Sequence, residues 1–210
     1  MGLDPQTLID MALAFNIPPS GYFTQWDELG NWQIDILKQH GIKPEHRLLD
    51  VGCGMMRLGS LAIPHLEVGN YYGIDPTGPL LALGRVILDR LGIDRPYSLL
   101  QSGSFEFEHF GVSFDYAIAQ SVITHLSRPQ VARCFEALKA VMKPGGTFIF
   151  TYLLGNYAPP LGFFMDGVAP MIRPGLADES IFEELAQRLD FRFVASSEPH
   201  PSQKVGICTF

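Results

Sequence analysis

Two short apolar runs, each ending in residues suited to a close backbone approach, constrain this chain more than any other feature. The first is Leu48-Leu49-Asp50-Val51-Gly52-Cys53-Gly54, and about twenty residues later comes Tyr71-Tyr72-Gly73-Ile74-Asp75. Such runs read as strands buried on both faces, the pattern of a parallel sheet covered by helices. Glycine lets the backbone turn sharply and leaves space where any Cβ would clash with a ligand. Asp75, at the end of the second run, is placed to accept hydrogen bonds from a ribose diol. Together the runs describe a nucleoside-binding crevice at the edge of an open α/β sheet.

The loop departs from the dinucleotide fingerprint Gly-x-Gly-x-x-Gly. After Gly52 and Gly54 come Met55, Met56 and Arg57, and the next glycine is Gly59. The longer loop spoils a pyrophosphate cradle, which needs a helix N-terminus pressed against the phosphates. Asp50 would repel a diphosphate but attract an ammonium or sulfonium. A dehydrogenase or a ligand-free α/β domain is the alternative reading of these residues.

Asp50 to Gly54 reads Asp-x-Gly-x-Gly, and here the chain resembles the class I S-adenosylmethionine-dependent methyltransferases. Asp75 stands where that family carries its ribose-binding acid. The resemblance covers residues 45–152 through motifs and 178–210 through element order. It implies one Rossmann-like, doubly wound α/β sheet of about seven strands, the last antiparallel. It also implies S-adenosyl-L-methionine as cofactor and S-adenosyl-L-homocysteine as product. Residues 1–44 read as an N-terminal helical cap or lid, and 45–210 as the core with a substrate-loop insertion near 154–177.

The periodicity predicts one continuous βα alternation. Helices are expected over 5–15, 27–40, 57–63 (ended by Pro64), 78–91 and 128–142, with strands over 47–51, 70–74, 97–101 and 114–119. Ser127-Arg128-Pro129-Gln130 is a capping box with proline in the first turn. Lys143-Pro144-Gly145-Gly146 is expected to stop that helix before a strand over 147–153. A second capping box, Ser180 to Glu183, opens a helix over 181–189, and a hairpin of strands over 190–197 and 204–210 follows.

Charge and composition narrow the partners. Net charge is −7 and no run of Lys or Arg reaches three, so nucleic acid lacks its usual basic footprint. Families that methylate base amino groups carry Asn-Pro-Pro-Tyr or Asp-Pro-Pro-Tyr after the fourth strand, where this chain has Ala119-Gln120-Ser121-Val122. No window of about eighteen apolar residues is present, so no membrane partner is expected. Asp4 and Asp10 without a basic n-region speak against a secretory signal, and Gln6 speaks against myristoylation at Gly2. Three cysteines without metal-ligand spacing fit a reducing cytoplasm and no metal. The expected state is a monomer or homodimer.

The cofactor set comprises Asp50, Gly52, Cys53, Gly54, Arg57, Asp75, Pro76, Ser104, Phe105, Gln120 and Ser121. Arg57 offers a bidentate fork to the carboxylate of an amino-acid moiety, or is an exposed first-turn residue. The family often ends strand three with an acid for adenine; here no acid occurs until Glu106, which leaves Ser104 and Phe105 as the alternatives. His125 is the candidate general base if the nucleophile arrives protonated, and otherwise packs beneath the cofactor or bonds a loop. Tyr22, Trp26, Tyr152, Tyr157 and Phe163 are the expected acceptor-binding residues, from aromatic segments that match no family pattern. A small-molecule acceptor is expected. A protein or peptide acceptor, or a non-catalytic cofactor-binding regulator, is the alternative.

Overall fold

A computed structural model describes residues 3–17, 23, 25–157, 173–174 and 179–210, with the backbone alone at 156, 157, 173 and 174. Seven strands form the sheet: β1 (Leu48–Val51), β2 (Tyr71–Asp75), β3 (Ser98–Gln101), β4 (Phe114–Ala119), β5 (Met142–Tyr152), β6 (Arg192–Ser196) and β7 (Lys204–Thr209). Their order is β3-β2-β1-β4-β5-β7-β6. β7 is inserted antiparallel to both neighbours, and the pairs among β1 to β5 are all parallel. From β1 the chain builds outward through β2 and β3, then returns to add β4 on the other side. That reversal opens a crevice beyond the carboxyl ends of β1 and β4.

The helices are α1 (Pro5–Ala14), α2 (Trp26–Gln39), α3 (Gly59–His65), α4 (Gly78–Arg90), α5 (Arg128–Val141) and α6 (Ser180–Leu189). Alternation along the strands feeds two cores. Leu49, Val51, Ala117, Ala119, Phe148 and Phe150 join the cluster beneath α5 and α6. Leu48, Ile118 and Ile149 face α2, α3 and α4 on the other side. Phe135 of α5 anchors the first cluster, with ring centroids 5.4–5.8 Å from Phe148, Phe150, Phe182 and Phe191. A third cluster packs Leu8, Met11 and Ala12 of α1 against Trp26, Met55, Leu83 and Ile87. No helix among the described residues is long and apolar enough to cross a membrane.

Local chemistry explains most element ends. Gln130 Oε1 accepts from the Ser127 N–H and hydroxyl, so α5 starts at its capping box. Most boundaries shift from expectation by a residue or two, and three shifts have a visible cause. Pro64 lies inside α3, which spans Gly59–His65 rather than 57–63, because a proline near the end of so short a helix removes only one late hydrogen bond. β5 starts at Met142, not after the Lys143–Gly146 turn. Met142 pairs with Phe114, and a register shift takes up the extra residues before Thr147 meets Tyr116. Gly145 holds the turn at φ +79°, and its N–H donates to the Phe210 carbonyl at 2.6 Å. α6 begins at Ser180 with Glu179 at the cap position, so the second capping box does not open it. The Glu179 carboxylate instead accepts the Tyr152 hydroxyl and pairs with Lys204.

Candidate cofactor and acceptor site

The chain leaves β1 through Gly52 and Gly54, at φ +72° and +53°, conformations in which a Cβ is strained. The N–H groups of Gly52 and Cys53 both donate to the Ile74 carbonyl, which folds the loop over the end of β2. There Asp75 accepts the Gly54 N–H at 3.0 Å on Oδ2 and the Thr77 N–H at 2.8 Å on Oδ1. Burial raises its pKa and these backbone hydrogen bonds oppose the shift. Each oxygen keeps a lone pair for a further donor, as a ribose diol requires. A Cβ added at Gly54 would meet nothing nearer than Leu80 Cδ1 at 3.9 Å, so that face of the loop is open. The residues present therefore fit a nucleoside cofactor.

Gly52 is different. A Cβ there would lie 2.4 Å from Val122 Cγ2, so its missing side chain makes room for the protein rather than for a ligand. Asp50 is 2% exposed beneath the loop and accepts the Tyr71 hydroxyl at 2.5 Å. Burial pushes its carboxyl up to about 7, against the pull of Tyr71 and Arg57. The structure thus gives Asp50 a protein partner. Cys53 packs against Gly73, and burial lifts its thiol pKa well above the ordinary value.

Arg57 is 6% exposed rather than an exposed first-turn residue. Its Nε donates to Gln33 Oε1 of α2 at 3.2 Å, and its Nη2 donates to Gln120 Oε1. Gln120, just after β4, passes its Nε2 hydrogen to Ser121 Oγ at 2.8 Å. Ser121 sits at φ +59° with its own N–H bonded to Thr151 Oγ1 at 2.7 Å. Loop, α2 and β4 are therefore joined by one polar network under the crevice. Gln33 was not legible as a site residue, although it is a polar side chain on the stripe Trp26, Leu29, Gly30, Gln33, Ile36, Leu37. A glutamine at that spacing, 4% exposed, is the signal that could have found it.

The remaining expected residues divide. Pro76 and Ser104 are exposed near the crevice edge, and Ser102 ties the Ser104 N–H to Glu106. Phe105 takes φ +59° and leans on Phe107 at 6.1 Å between centroids. His125 closes the single 3-10 turn Ile123–His125 after β4 and is half-buried. Trp26 and Tyr152 are withdrawn from the crevice into the core, Trp26 by α1 and Tyr152 by Phe150, Phe182 and Glu179. Tyr22, Phe163 and the Tyr157 side chain lie outside the described residues.

Comparison with known proteins finds methyltransferases in sequence and in fold. A methyltransferase-domain family profile matches residues 49–148, from within β1 to within β5. The ubiquinone biosynthesis O-methyltransferase of Azoarcus sp. (strain BH72) is 26% identical over 140 residues, 66% of this chain. The chain is similar to methyltransferase domains in sequence over residues 49–148 and shares its fold with S-adenosylmethionine-dependent methyltransferases. It spans 58% of the length of that Azoarcus relative. Magnesium protoporphyrin IX methyltransferase from Synechocystis PCC 6803, solved with bound S-adenosylhomocysteine, is similar over 98% of this chain and 94% of its own (TM-score 0.66, 14% identity). A glycopeptide N-methyltransferase solved with S-adenosylmethionine is similar over 86% and 92% (TM-score 0.64, 16% identity). Both of those proteins were solved with an S-adenosyl nucleoside bound.

Proposed function

We propose that this chain transfers a methyl group from S-adenosylmethionine to a small molecule. The observation that carries the reading is the Asp75 carboxylate, fixed by the N–H groups of Gly54 and Thr77 beside the open face of the glycine loop. The O-methyltransferase name of the Azoarcus relative supports a small acceptor. So does the acidic net charge of −7, which leaves no basic footprint for a nucleic acid.

When bound, the cofactor supplies an activated methyl on a sulfonium, so alignment and exclusion of water dominate the work left to the protein. Asp75 would accept the ribose hydroxyls, and Gly54 would let the backbone come against the nucleoside. Arg57, held by Gln33 and Gln120, would offer its fork to the carboxylate of the amino-acid moiety. His125 would take the proton of an acceptor that arrives protonated.

Calorimetry with S-adenosylhomocysteine and NAD tests the cofactor half, with binding of the first alone expected. Mass spectrometry of small molecules released on denaturation, then transfer of labelled methyl to whatever is found, tests the acceptor half. Tight S-adenosylhomocysteine binding with label only in polypeptide would move the acceptor to a protein. Binding with no label anywhere would make the chain a non-catalytic regulator.

A further inference from the structure

The polar network at the carboxyl end of β4 extends past the residues that the cofactor reading uses. Ser121 Oγ accepts two amide N–H groups, from Gln120 Nε2 at 2.8 Å and from Gln203 Nε2 at 2.6 Å. With both lone pairs engaged, its own hydrogen is directed away from the two amides. Gln203 Oε1, on the same amide, is buried and has no hydrogen-bond partner among the described residues. A buried amide oxygen without a partner is costly, and a native site that keeps one normally has something polar to fill it.

The surroundings hold these two residues in place. Gln203 ends a segment tied to α2: Glu198 pairs with His40 at 2.8 Å, and the Pro199 carbonyl accepts Trp32 Nε1–H at 2.7 Å. His200 Nδ1 accepts the N–H groups of Ser202 and Gln203 at 3.1 and 3.0 Å, and its ring meets Trp32 edge to face at 4.5 Å. Burial, and then the charge of Arg57, hold the His200 pKa down at about 4, so Nδ1 stays an acceptor at neutral pH.

Position completes the argument. Along this sheet edge the order is β2, β1, β4. A nucleoside with its ribose on Asp75 of β2, crossing the loop after β1, turns its far end toward β4. Val122 lies against Gly52, so the adjacent Ser121 borders the loop at that end.

We infer that Gln203 and Ser121 form the acceptor-recognition site and that they read a hydroxyl group, an inference that rests on the methyltransferase reading. A hydroxyl donates to Gln203 Oε1 and accepts from the Ser121 O–H at once. It satisfies the amide whichever way that amide is turned, because it both donates and accepts. A carboxylate or ether only accepts, and an ammonium only donates. Gln203 is a positioning and specificity residue here, with no part in the bond that breaks.

The test is calorimetric titration of the S-adenosylhomocysteine-saturated protein with phenol and with toluene, which replaces the hydroxyl by a methyl of similar size. Phenol is expected to bind about tenfold more tightly, the scale of pairing a buried polar atom. Gln203→Met should bring the two probes within about twofold while S-adenosylhomocysteine affinity stays within about twofold of wild type. Gln203→Ala, which removes rather than replaces the amide, is expected to do the same. Phenol binding no more tightly than toluene, or neither binding, overturns the inference, as does undiminished discrimination in the folded variants. Failure of S-adenosylhomocysteine to bind the wild type overturns the methyltransferase reading, and this one with it; normal binding without phenol preference overturns this one alone.

Discussion

Replacing Asp75 by alanine separates two jobs the structure gives one carboxylate. It braces the loop by accepting the Gly54 and Thr77 N–H groups at 3.0 and 2.8 Å, in a residue only 7% exposed. Each donor left buried without a partner costs roughly 1–3 kcal/mol, reduced where crevice water reaches it. A loss of about 2–4 kcal/mol is therefore expected, which a domain stable by about 5–15 kcal/mol survives. For a chain of this size that is a fall in melting temperature of roughly 4–16 °C. The second job is binding. Hydrogen bonds from ribose hydroxyls to a charged acceptor contribute about 1.5–3 kcal/mol, so S-adenosylhomocysteine affinity should fall roughly 10- to 150-fold. Asp75→Asn keeps one acceptor oxygen, so it should lose less stability while still weakening binding. Titration and scanning calorimetry on the same samples measure both quantities. Affinity within about twofold of wild type, alongside the expected fall in melting temperature, would refute the ribose role and leave Asp75 a brace.

Four further outcomes are expected. Gly54→Ala, at φ +53° with open space before it, should cost about 1–2 kcal/mol of stability and block the cofactor, whereas Gly52→Ala drives a Cβ to 2.4 Å from Val122 and should destabilise more; the opposite order of melting temperatures would sink this account. Asp50 binds its proton more tightly folded than unfolded, with a pKa raised from 3.8 to about 7, so its contribution to stability falls as pH rises through that window. Asp50→Asn, which has no proton to lose and can still accept from Tyr71, should gain on the wild type between those limits by on the order of 3–4 kcal/mol, and parallel stability–pH curves would contradict it. His125→Ala should lower kcat by about 10²–10⁴ with cofactor affinity nearly unchanged, and a kcat within about threefold of wild type removes His125 from the chemistry. Methyl transfer should resist nuclease and vary little with salt, where phosphate contacts would give a steep decline that filter binding detects.

The sheet was legible because its strands are dense apolar runs closed by glycine or a carboxylate, and the meeting of Gly54 with Asp75 because each follows or ends one of two adjacent strands with local signals. Where local rules competed with pairing, pairing won. Met142 joined β5 because Phe114 was there to pair with it, and the Ser180 box yielded to a helix whose cap carboxylate serves Tyr152. On the β4 side Arg57, Gln120 and Ser121 stand out in the sequence but Gln33 and Gln203 do not, because those two meet the others only after the sheet has formed and no spacing in one dimension brings them together.

The insertion of β7 between β5 and β6 also sets a timetable for synthesis. Thr147 to Tyr152 of β5 pair with Thr209 to Lys204, and Gly206 leaves the gap in which the Phe150 ring lies. Until residues 204–209 emerge, one edge of the aromatic strand β5 has no partner from this hairpin. A ribosome adding about 5–20 residues per second needs roughly 3–10 s to cover that interval, long enough for an unpaired edge to meet another chain. The protein's exposure to aggregation is therefore greatest during translation, and a ribosome stalled between β5 and β7 would hold it there.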